Sequence, residues 1–366
     1  MTYHCRFAPA SVVKHDDELP NMTVIAIPRL VTVLLCGFVV LTAAAQPRRF
    51  EFPNPLSAEE AVRQAQLGSR GVRVHDPSTI VKCKDEYWIF YTARDVRSYR
   101  SKDLEKWEAG PPVFSNSPPW VAEAVPANRS GRDFWAPDVI HVGDRYLLYY
   151  SVSSFGKNTS AIGLVTNPTL DPDDPKYEWT DQGMVIQSSP RDDFNTIDPA
   201  LFQDADGSLW MPFGSFWGGI KMIQLDPKTG KRIAPDSRVY ALAHYDSIEA
   251  PFLFRHDGKY LLFVNWGFCC RGTNSTYEIR VGRSDKVTGP YLDREGKEML
   301  AGGGTPVLGT EDVFIGPGHA GILEENGKSW FGFHFYNAAQ RGSSTFAIRS
   351  LRWGADGWPI VEKAVK

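Results

Sequence analysis

HDPSTIVKCKDEYWIFYT, residues 75–92, decides the fold, because its pattern returns four more times along the chain. In each copy a polar residue beside proline or glycine precedes a short apolar run, a turn and an aromatic-rich segment. The other copies are APDVIHVGDRYLLYYS from Ala136, IDPALFQDADGSLWMPFG from Ile197, IEAPFLFRHDGKYLLFVN from Ile248 and GPGHAGILEENGKSWFGFHF from Gly316. A repeated hairpin of this kind predicts a repeat architecture built from β-strands.

Each copy begins with a polar marker residue, and successive markers are 51 to 70 residues apart. Such an interval holds four strands of about 5–6 residues with their connections, which is the content of one propeller blade. Helical periodicity is clearest only at residues 58–67, whereas an α/β barrel requires a helix after every strand. We therefore predict an all-β fold, a five-bladed β-propeller. The markers are Asp76, Asp138, Asp198, Glu249 and His319.

Residues 1–45 are predicted to lie outside the propeller, which is assigned to residues 46–366. The apolar run LVTVLLCGFVVL from Leu30 follows Arg29 and precedes small residues at 43–45, the pattern of a cleavable signal peptide. Met22 is the expected true start. About 12 apolar residues fall short of the ~20 that span a bilayer. We expect a secreted or periplasmic protein with no stable membrane span in its mature form.

Charge and cysteine content exclude several classes of protein. Lys and Arg number 40 against 43 Asp and Glu, with no dense basic cluster, so nucleic acid is not an expected partner. Cys83, Cys269 and Cys270 follow the signal segment, and this odd number does not build a framework of several disulfides. The adjacent pair can close a small ring and stiffen one loop.

The markers are predicted to meet, because the first strand of every propeller blade starts near the central axis. Any single carboxylate beside proline usually caps a turn. Taken together, at equivalent positions of the repeat, they indicate a site. Converging carboxylates suggest glycoside hydrolysis, in which one carboxylic acid protonates the leaving oxygen and one carboxylate activates water. The repeats leave open which residue has which part.

An ordered series of motifs makes the prediction specific. The series is HDPS from His75, FWAPDV from Phe134, NTIDP from Asn195, SIEAPF from Ser247, CCRG with TYEIRVGRS from Cys269, and GPGH from Gly316. Over residues 70–360 the chain resembles glycoside hydrolase family 43 and, within it, the endo-α-1,5-L-arabinanases. The resemblance implies that Asp76 is the general base, Glu249 the general acid, and Asp198 the carboxylate that orients and tunes the acid. Asp138 is outside that triad and becomes a structural residue.

The same resemblance implies binding residues. His319 is expected near a cation on the propeller axis, Ca²⁺ or another ion held largely by water, with no organic cofactor. The expected contacts to sugar are Trp135, Phe155, Asn195, Trp217, Cys269 and Cys270. Ala320, Phe335 and Asn337 depart from the residues usual in the arabinanases.

The predicted function is inverting hydrolysis of internal α-1,5-L-arabinofuranosidic bonds, with arabinan and arabino-oligosaccharides as partners. An exo-acting α-L-arabinofuranosidase or β-xylosidase is the alternative within the family, since one propeller and one triad serve several pentose linkages. A non-catalytic sugar-binding propeller is a weaker alternative, because all three carboxylates of the family are present.

Overall fold

The computed structural model describes residues 71–363, which form five antiparallel sheets. Each sheet is one blade, and the strands of a blade follow one another in chain order. The prediction of an all-β, five-bladed propeller is confirmed. The predicted signal peptide, the boundary at residue 46 and the helical stretch at 58–67 lie outside the described residues. No helix within residues 71–363 has the length and apolar character needed to cross a membrane.

Blade 1 contains β1 (Val81–Cys83), β2 (Glu86–Tyr91), β4 (Arg97–Ser101) and β5 (Glu108–Ala109). Blade 2 contains β3 (Ala93–Arg94), β6 (Asp133–Val142), β7 (Arg145–Val152), β8 (Ser160–Asn167) and β9 (Thr180–Ser188). Blade 3 contains β10 (Phe202–Gln203), β11 (Leu209–Phe213), β12 (Ile220–Leu225) and β13 (Tyr240–Ala243).

The last two blades have four strands each. Blade 4 contains β14 (Ile248–His256), β15 (Lys259–Trp266), β16 (Glu278–Ser284) and β17 (Thr305–Leu308). Blade 5 contains β18 (Phe314–Glu325), β19 (Lys328–Asn337), β20 (Ser343–Trp353) and β21 (Pro359–Val361). The helical turns are α1 (Val121–Ala124), η1 (Gly272–Asn274), η2 (Met299–Ala301) and η3 (Ala338–Gln340).

The first hairpins of blades 4 and 5 form as their sequences predict. Asp257-Gly258 and Asn326-Gly327 have positive φ at both positions, as a two-residue type I′ turn requires. The strand pairs close around these turns at His256 with Lys259 and at Glu325 with Lys328. The turn chemistry therefore sets the register of the first two strands in both blades.

The hydrophobic core lies between neighbouring blades. Its five buried clusters join blades 1 and 2, 2 and 3, 3 and 4, 4 and 5, and 5 and 1. At the last interface Ile80 and Ile89 of blade 1 pack against Phe346 of blade 5, which closes the ring. A blade has another blade packed against each of its two faces, and every residue of β8 in blade 2 is buried accordingly. Strands buried on both faces read as nearly continuous apolar runs.

A left-handed residue recurs near the start of all five blades. Its φ is 49° at Asp76, 41° at Ala136, 57° at Asp198, 51° at Ala250 and 62° at His319. This conformation costs a residue with a side chain about 1–2 kcal/mol, so the same strain is accepted five times at one end of the propeller.

These kinks correct one sequence-based expectation, that the five markers occupy equivalent positions. Asp76, Asp198 and His319 are equivalent, whereas Glu249 precedes the kink at Ala250 and Asp138 lies two residues after the kink at Ala136. Side chains alternate along an extended chain, so residues displaced from the kink point in other directions.

Candidate active site

The kinked ends of the blades surround a cleft of about 830 Å³. Many of its other lining residues come from the loops that follow β7, β11 and β15 in blades 2, 3 and 4. The predicted site residues that line the cleft are Asp76, Trp135, Phe155, Asn195, Asp198, Trp217, Glu249, Cys269 and Cys270. His319 is buried and is not among the lining residues.

Asp76 is a carboxylate surrounded by donors. Its Oδ2 accepts a hydrogen bond from Thr92 Oγ1 at 2.6 Å and lies 2.8 Å from His75 Nδ1. Its Oδ1 lies 3.5 Å from His319 Nδ1. Burial opposes ionisation, but His75 and His319 outweigh burial and hold the pKa of Asp76 well below its ordinary value. Asp76 is therefore ionised at neutral pH, the state that a general base requires.

Glu249 has the opposite environment. Burial and the nearby charge of Asp198 raise the pKa of Glu249 to about 8. Ser215 Oγ donates to its Oε2 at 2.7 Å, and the Tyr277 hydroxyl contacts its Oε1. Glu249 therefore retains a proton at neutral pH and can donate it to a leaving group.

Asp198 links these two carboxylates. Its backbone N–H donates to Ser151 Oγ at 2.9 Å, and its Oδ2 accepts from the backbone N–H of Ala250 at 3.2 Å. Burial raises the pKa of Asp198 to about 7, with His319 opposing the rise and Asp76 adding to it. This position lets the charge of Asp198 act on Glu249 and fixes the backbone next to it.

Asp138 connects blades and does not line the cleft. Its Oδ1 accepts from the backbone N–H of Thr79 at 2.8 Å, and its Oδ2 accepts from that of Leu201 at 2.7 Å. These donors belong to blades 1 and 3, which flank Asp138 in blade 2. The carboxylate therefore joins three blades through backbone hydrogen bonds.

The chain that holds this ionised and this protonated carboxylate is similar to proteins of a known family. A family model described as "Glycosyl hydrolases family 43" matches residues 71–359. The chain belongs to glycosyl hydrolase family 43. It is therefore a glycoside hydrolase, and the resemblance inferred from the motifs is confirmed.

Two curated relatives in family 43 are similar over most of their length. An extracellular exo-α-(1→5)-L-arabinofuranosidase from Cellvibrio japonicus is 41% identical over 309 residues, covering 81% of this chain and 88% of the relative. An extracellular endo-α-(1→5)-L-arabinanase from Bacillus subtilis is 38% identical over 330 residues, covering 88% and 97%. The family thus includes both exo- and endo-acting relatives of this chain.

A solved structure agrees with the fold. The Cellvibrio cellulosa α-L-arabinanase complexed with arabinohexaose has a TM-score of 0.76 and 39% identity, covering 80% of this chain and 96% of that chain.

His319 is the residue expected beside a cation on the propeller axis. Among residues 71–363, two groups of side chains come close enough together to surround an ion: His75 with Cys269 and Cys270, whose sulfurs are joined in a disulfide and are not thiolate ligands, and His75 with Asp76 and His334. Neither group includes His319. Ca²⁺ takes 6–8 oxygen ligands, so one imidazole nitrogen supplies too few. An ion at His319 would therefore need water for most of its coordination.

Several residues in contact with the carboxylates were missed by the sequence analysis as functional residues. His75 stands in the HDPS motif and Tyr277 in the TYEIRVGRS motif, so their positions in quoted motifs were a usable signal. Ser215 stands just after a repeat copy and Thr92 ends one, and neither is in a family motif. Each reaches its carboxylate from the segment after a strand, β11 for Ser215 and β2 for Thr92.

Cys269 and Cys270 are joined by a disulfide and line the cleft together. Cys83 is buried and free. The bond between adjacent residues closes the small ring that the sequence allowed, and it restrains the loop after β15.

Proposed function

We propose that this family 43 enzyme hydrolyses internal α-1,5-L-arabinofuranosidic bonds of arabinan with inversion, and that it is exported. The observation that carries the chemistry is the opposite displacement of two pKa values in one cleft. Asp76 is held ionised, while the pKa of Glu249 is raised to about 8. Two titratable groups driven apart by their environments are the mark of an acid and base pair.

In the proposed mechanism Glu249 donates its proton to the glycosidic oxygen as the bond to the anomeric carbon breaks. Asp76 accepts a proton from a water molecule, whose oxygen bonds to the anomeric carbon from the opposite face. Ser215 and Tyr277 hold the Glu249 carboxyl group in place, and Asp198 keeps its pKa high.

Exposed aromatic side chains support a carbohydrate substrate. Phe155, Trp217 and Phe268 are 82%, 42% and 40% exposed, respectively, and all three line the cleft. They lie on corresponding loops of three consecutive blades, after β7, β11 and β15 respectively. Aromatic faces that are exposed to solvent are suited to stacking against sugar rings. Trp135 lies deeper, at the kink of blade 2.

Asn195 supports recognition of a hydroxyl-rich ligand. The side chain is buried and lines the cleft, and its Oδ1 has no hydrogen-bond partner. A buried acceptor without a donor is costly, and a sugar hydroxyl would supply that donor.

Digestion of linear arabinan tests the endo assignment. We expect short oligosaccharides early in the reaction, because a cleft lined by loops of several blades accepts the middle of a chain. The exo alternative is favoured by the Cellvibrio japonicus relative, and release of arabinose alone from the start would support it.

NMR of the first products tests inversion, since retention of the α-anomer with a covalent sugar on Asp76 contradicts the proposed roles. Nitrophenyl-xyloside serves as the control for β-xylosidase activity.

A water-held Ca²⁺ at His319 is proposed as an ordering charge for the carboxylates and not as a Lewis acid. Support comes from the burial of His319 beside Asp76. Calorimetric titration of CaCl₂ into metal-stripped protein should give one binding event that His319→Ala removes. Equal binding by the variant would contradict the proposed ligand.

Export is supported by the predicted signal peptide and by the two relatives, whose names describe them as extracellular. N-terminal sequencing of the exported protein should begin near Gln46, and a start at Met1 or Met22 would contradict cleavage.

A further inference from the structure

We propose that Tyr336 and His75 are positioning residues that orient the Asp76 carboxylate through a directed chain of hydrogen bonds. This inference rests on the proposed role of Asp76 as the base. The chain begins at a backbone N–H in the loop that contains the disulfide and ends at a carboxylate oxygen of Asp76.

The links of the chain are short. The backbone N–H of Cys270 donates to the Tyr336 hydroxyl oxygen at 2.7 Å. That oxygen lies 2.7 Å from His75 Nε2. His75 Nδ1 in turn lies 2.8 Å from Asp76 Oδ2. Tyr336 and His75 are 261 residues apart in the chain and meet across the interface between blades 5 and 1.

The direction of the protons follows from the last link, because a carboxylate oxygen accepts and His75 Nδ1 must therefore donate. A neutral His75 then accepts at Nε2, and the Tyr336 O–H, whose oxygen accepts from Cys270, donates to it. A neutral imidazole that accepts at Nε2 carries its proton on Nδ1, and this proton faces Asp76. The hydroxyl of Tyr336 therefore selects the tautomer of His75 that can donate to the carboxylate.

The His75 ring has little freedom to turn away. It stacks on His334 with ring centroids 4.3 Å apart, and His334 Nδ1 accepts the backbone N–H of Asp76 at 3.1 Å. Charged and titratable groups that face Asp76 are His75, His319, His334, Tyr336, Asp198 and Glu249. His75 and Thr92 both contact Oδ2, at 2.8 and 2.6 Å, whereas the histidines nearest to Oδ1 are 3.5 and 3.8 Å away, which leaves Oδ1 as the less constrained oxygen.

The disulfide fixes the start of the chain. The bond between Cys269 and Cys270 restrains the backbone around the N–H that donates to Tyr336, and Cys270 has φ of 65°. The disulfide loop, which lines the cleft, thereby influences the Asp76 carboxylate without contacting it.

Tyr336→Phe tests the proposal, because it removes the hydroxyl and keeps the ring. We expect kcat on arabinan to fall about 10-fold to 100-fold, the scale of a misplaced catalytic group, while KM changes by less than about 2-fold. The control is Tyr149→Phe, which removes a buried hydroxyl that donates to Gly230 O at 2.7 Å, away from the cleft. Equal kcat in the two variants would overturn the proposal.

Substitution of His75 separates positioning from packing. The amide N–H of His75→Asn can replace the Nδ1 proton, so we expect this variant to retain at least about 10-fold more kcat than His75→Ala. Nitrogen-15 spectra of labelled histidine should show the Nδ1–H tautomer for His75 in the parent protein and its loss in Tyr336→Phe. An Nε2–H tautomer in the parent protein, or no rescue by asparagine, would overturn the proposal.

Asp76→Ala distinguishes this inference from the function beneath it. If that variant remains active on arabinan, the proposed base is wrong. If it is inactive and Tyr336→Phe behaves like Tyr149→Phe, only the positioning chain is wrong.

Discussion

Glu249 and Asp76 are both carboxylates that line one cleft, yet the side chains beside them differ in kind. Imidazole groups contact Asp76, whereas Glu249 has hydroxyl groups and the carboxylate of Asp198 nearby. Burial alone would raise both pKa values. The identity of the adjacent side chains therefore decides which residue keeps its proton.

Removal of either carboxylate should separate the two roles. Asp76→Ala loses the group that activates water, so activity on arabinan should fall by about 10²–10⁴-fold. Glu249→Ala should lose as much on arabinan and less on a nitrophenyl arabinofuranoside, whose leaving group needs no protonation. Initial rates on both substrates check this, with near-UV circular dichroism as the control for folding. Equal losses of Glu249→Ala on both substrates would contradict its role as the acid.

The pH profile should report the environment of Glu249. Activity requires its protonated form, so kcat/KM should decline as pH rises through about 8. Asp198→Asn removes a negative neighbour, which lowers the pKa of Glu249 and moves this decline to lower pH. Ser215→Ala removes a hydrogen bond to the ionised form, so the decline should move to higher pH. Shifts of the same sign in the two variants would refute the assignment.

At the scale of the element, the loop between β11 and β12 holds an aromatic side chain over the cleft by backbone strain. Phe216 and Trp217 have φ of 50° and 39°, and Gly219 follows with φ of 77°. A methyl group added to Gly219 would lie 2.2 Å from the backbone oxygen of Ala243. The loop therefore needs glycine to pass this close to the neighbouring strand, and the strain lies where Trp217 is presented.

Gly219→Ala should destabilise the protein by about 3 kcal/mol, because left-handed strain and a backbone clash add together. It should also raise KM for arabinan, since the loop that carries Trp217 must shift. Gly207→Ala is the matched control: φ is 86° there, but nothing lies within 4 Å of an added methyl group. We expect about 1 kcal/mol for the control. Chemical denaturation measures both, and equal losses would show that the clash is relieved without cost.

At the scale of the whole molecule, the site depends on closure of the ring. His75 and Asp76 belong to blade 1, while His319, His334 and Tyr336 belong to blade 5. The packing of Phe346 against Ile80 and Ile89 holds these two blades together. Separation of the blades would move the imidazoles of His319 and His334 and the phenol of Tyr336 away from His75 and Asp76.

Phe346→Ala should lower the free energy of unfolding by about 3–5 kcal/mol, the cost of emptying a large buried site. Phe346 is 4% exposed, whereas Phe155 is 82% exposed and packs into no cluster of the described core. Phe155→Ala should therefore change stability by no more than about 0.5 kcal/mol. Urea unfolding of both variants checks the difference, and a loss below about 1 kcal/mol for Phe346→Ala would argue against closure through this contact.

The sequence by itself determined the number of blades and placed Asp76, Asp198 and Glu249 among the candidates for the site. It could do so because hairpin turns, apolar runs and prolines beside polar residues are local features that repeat at a regular interval. The family motifs then assigned roles that the repeats had left open.

Only the tertiary structure decided how the equally marked residues differ. Asp138 and Glu249 are both carboxylate markers of the repeat, but Asp138 follows the kink of its blade and Glu249 precedes the kink of its own. As a result Asp138 accepts hydrogen bonds from the backbones of blades 1 and 3, whereas Glu249 lines the cleft. The contact between His75 and Tyr336, 261 residues apart, has no local signal at all. Protonation states depend on burial and on charges that distant segments bring within a few ångströms, and this information exists only once the ring of blades has closed.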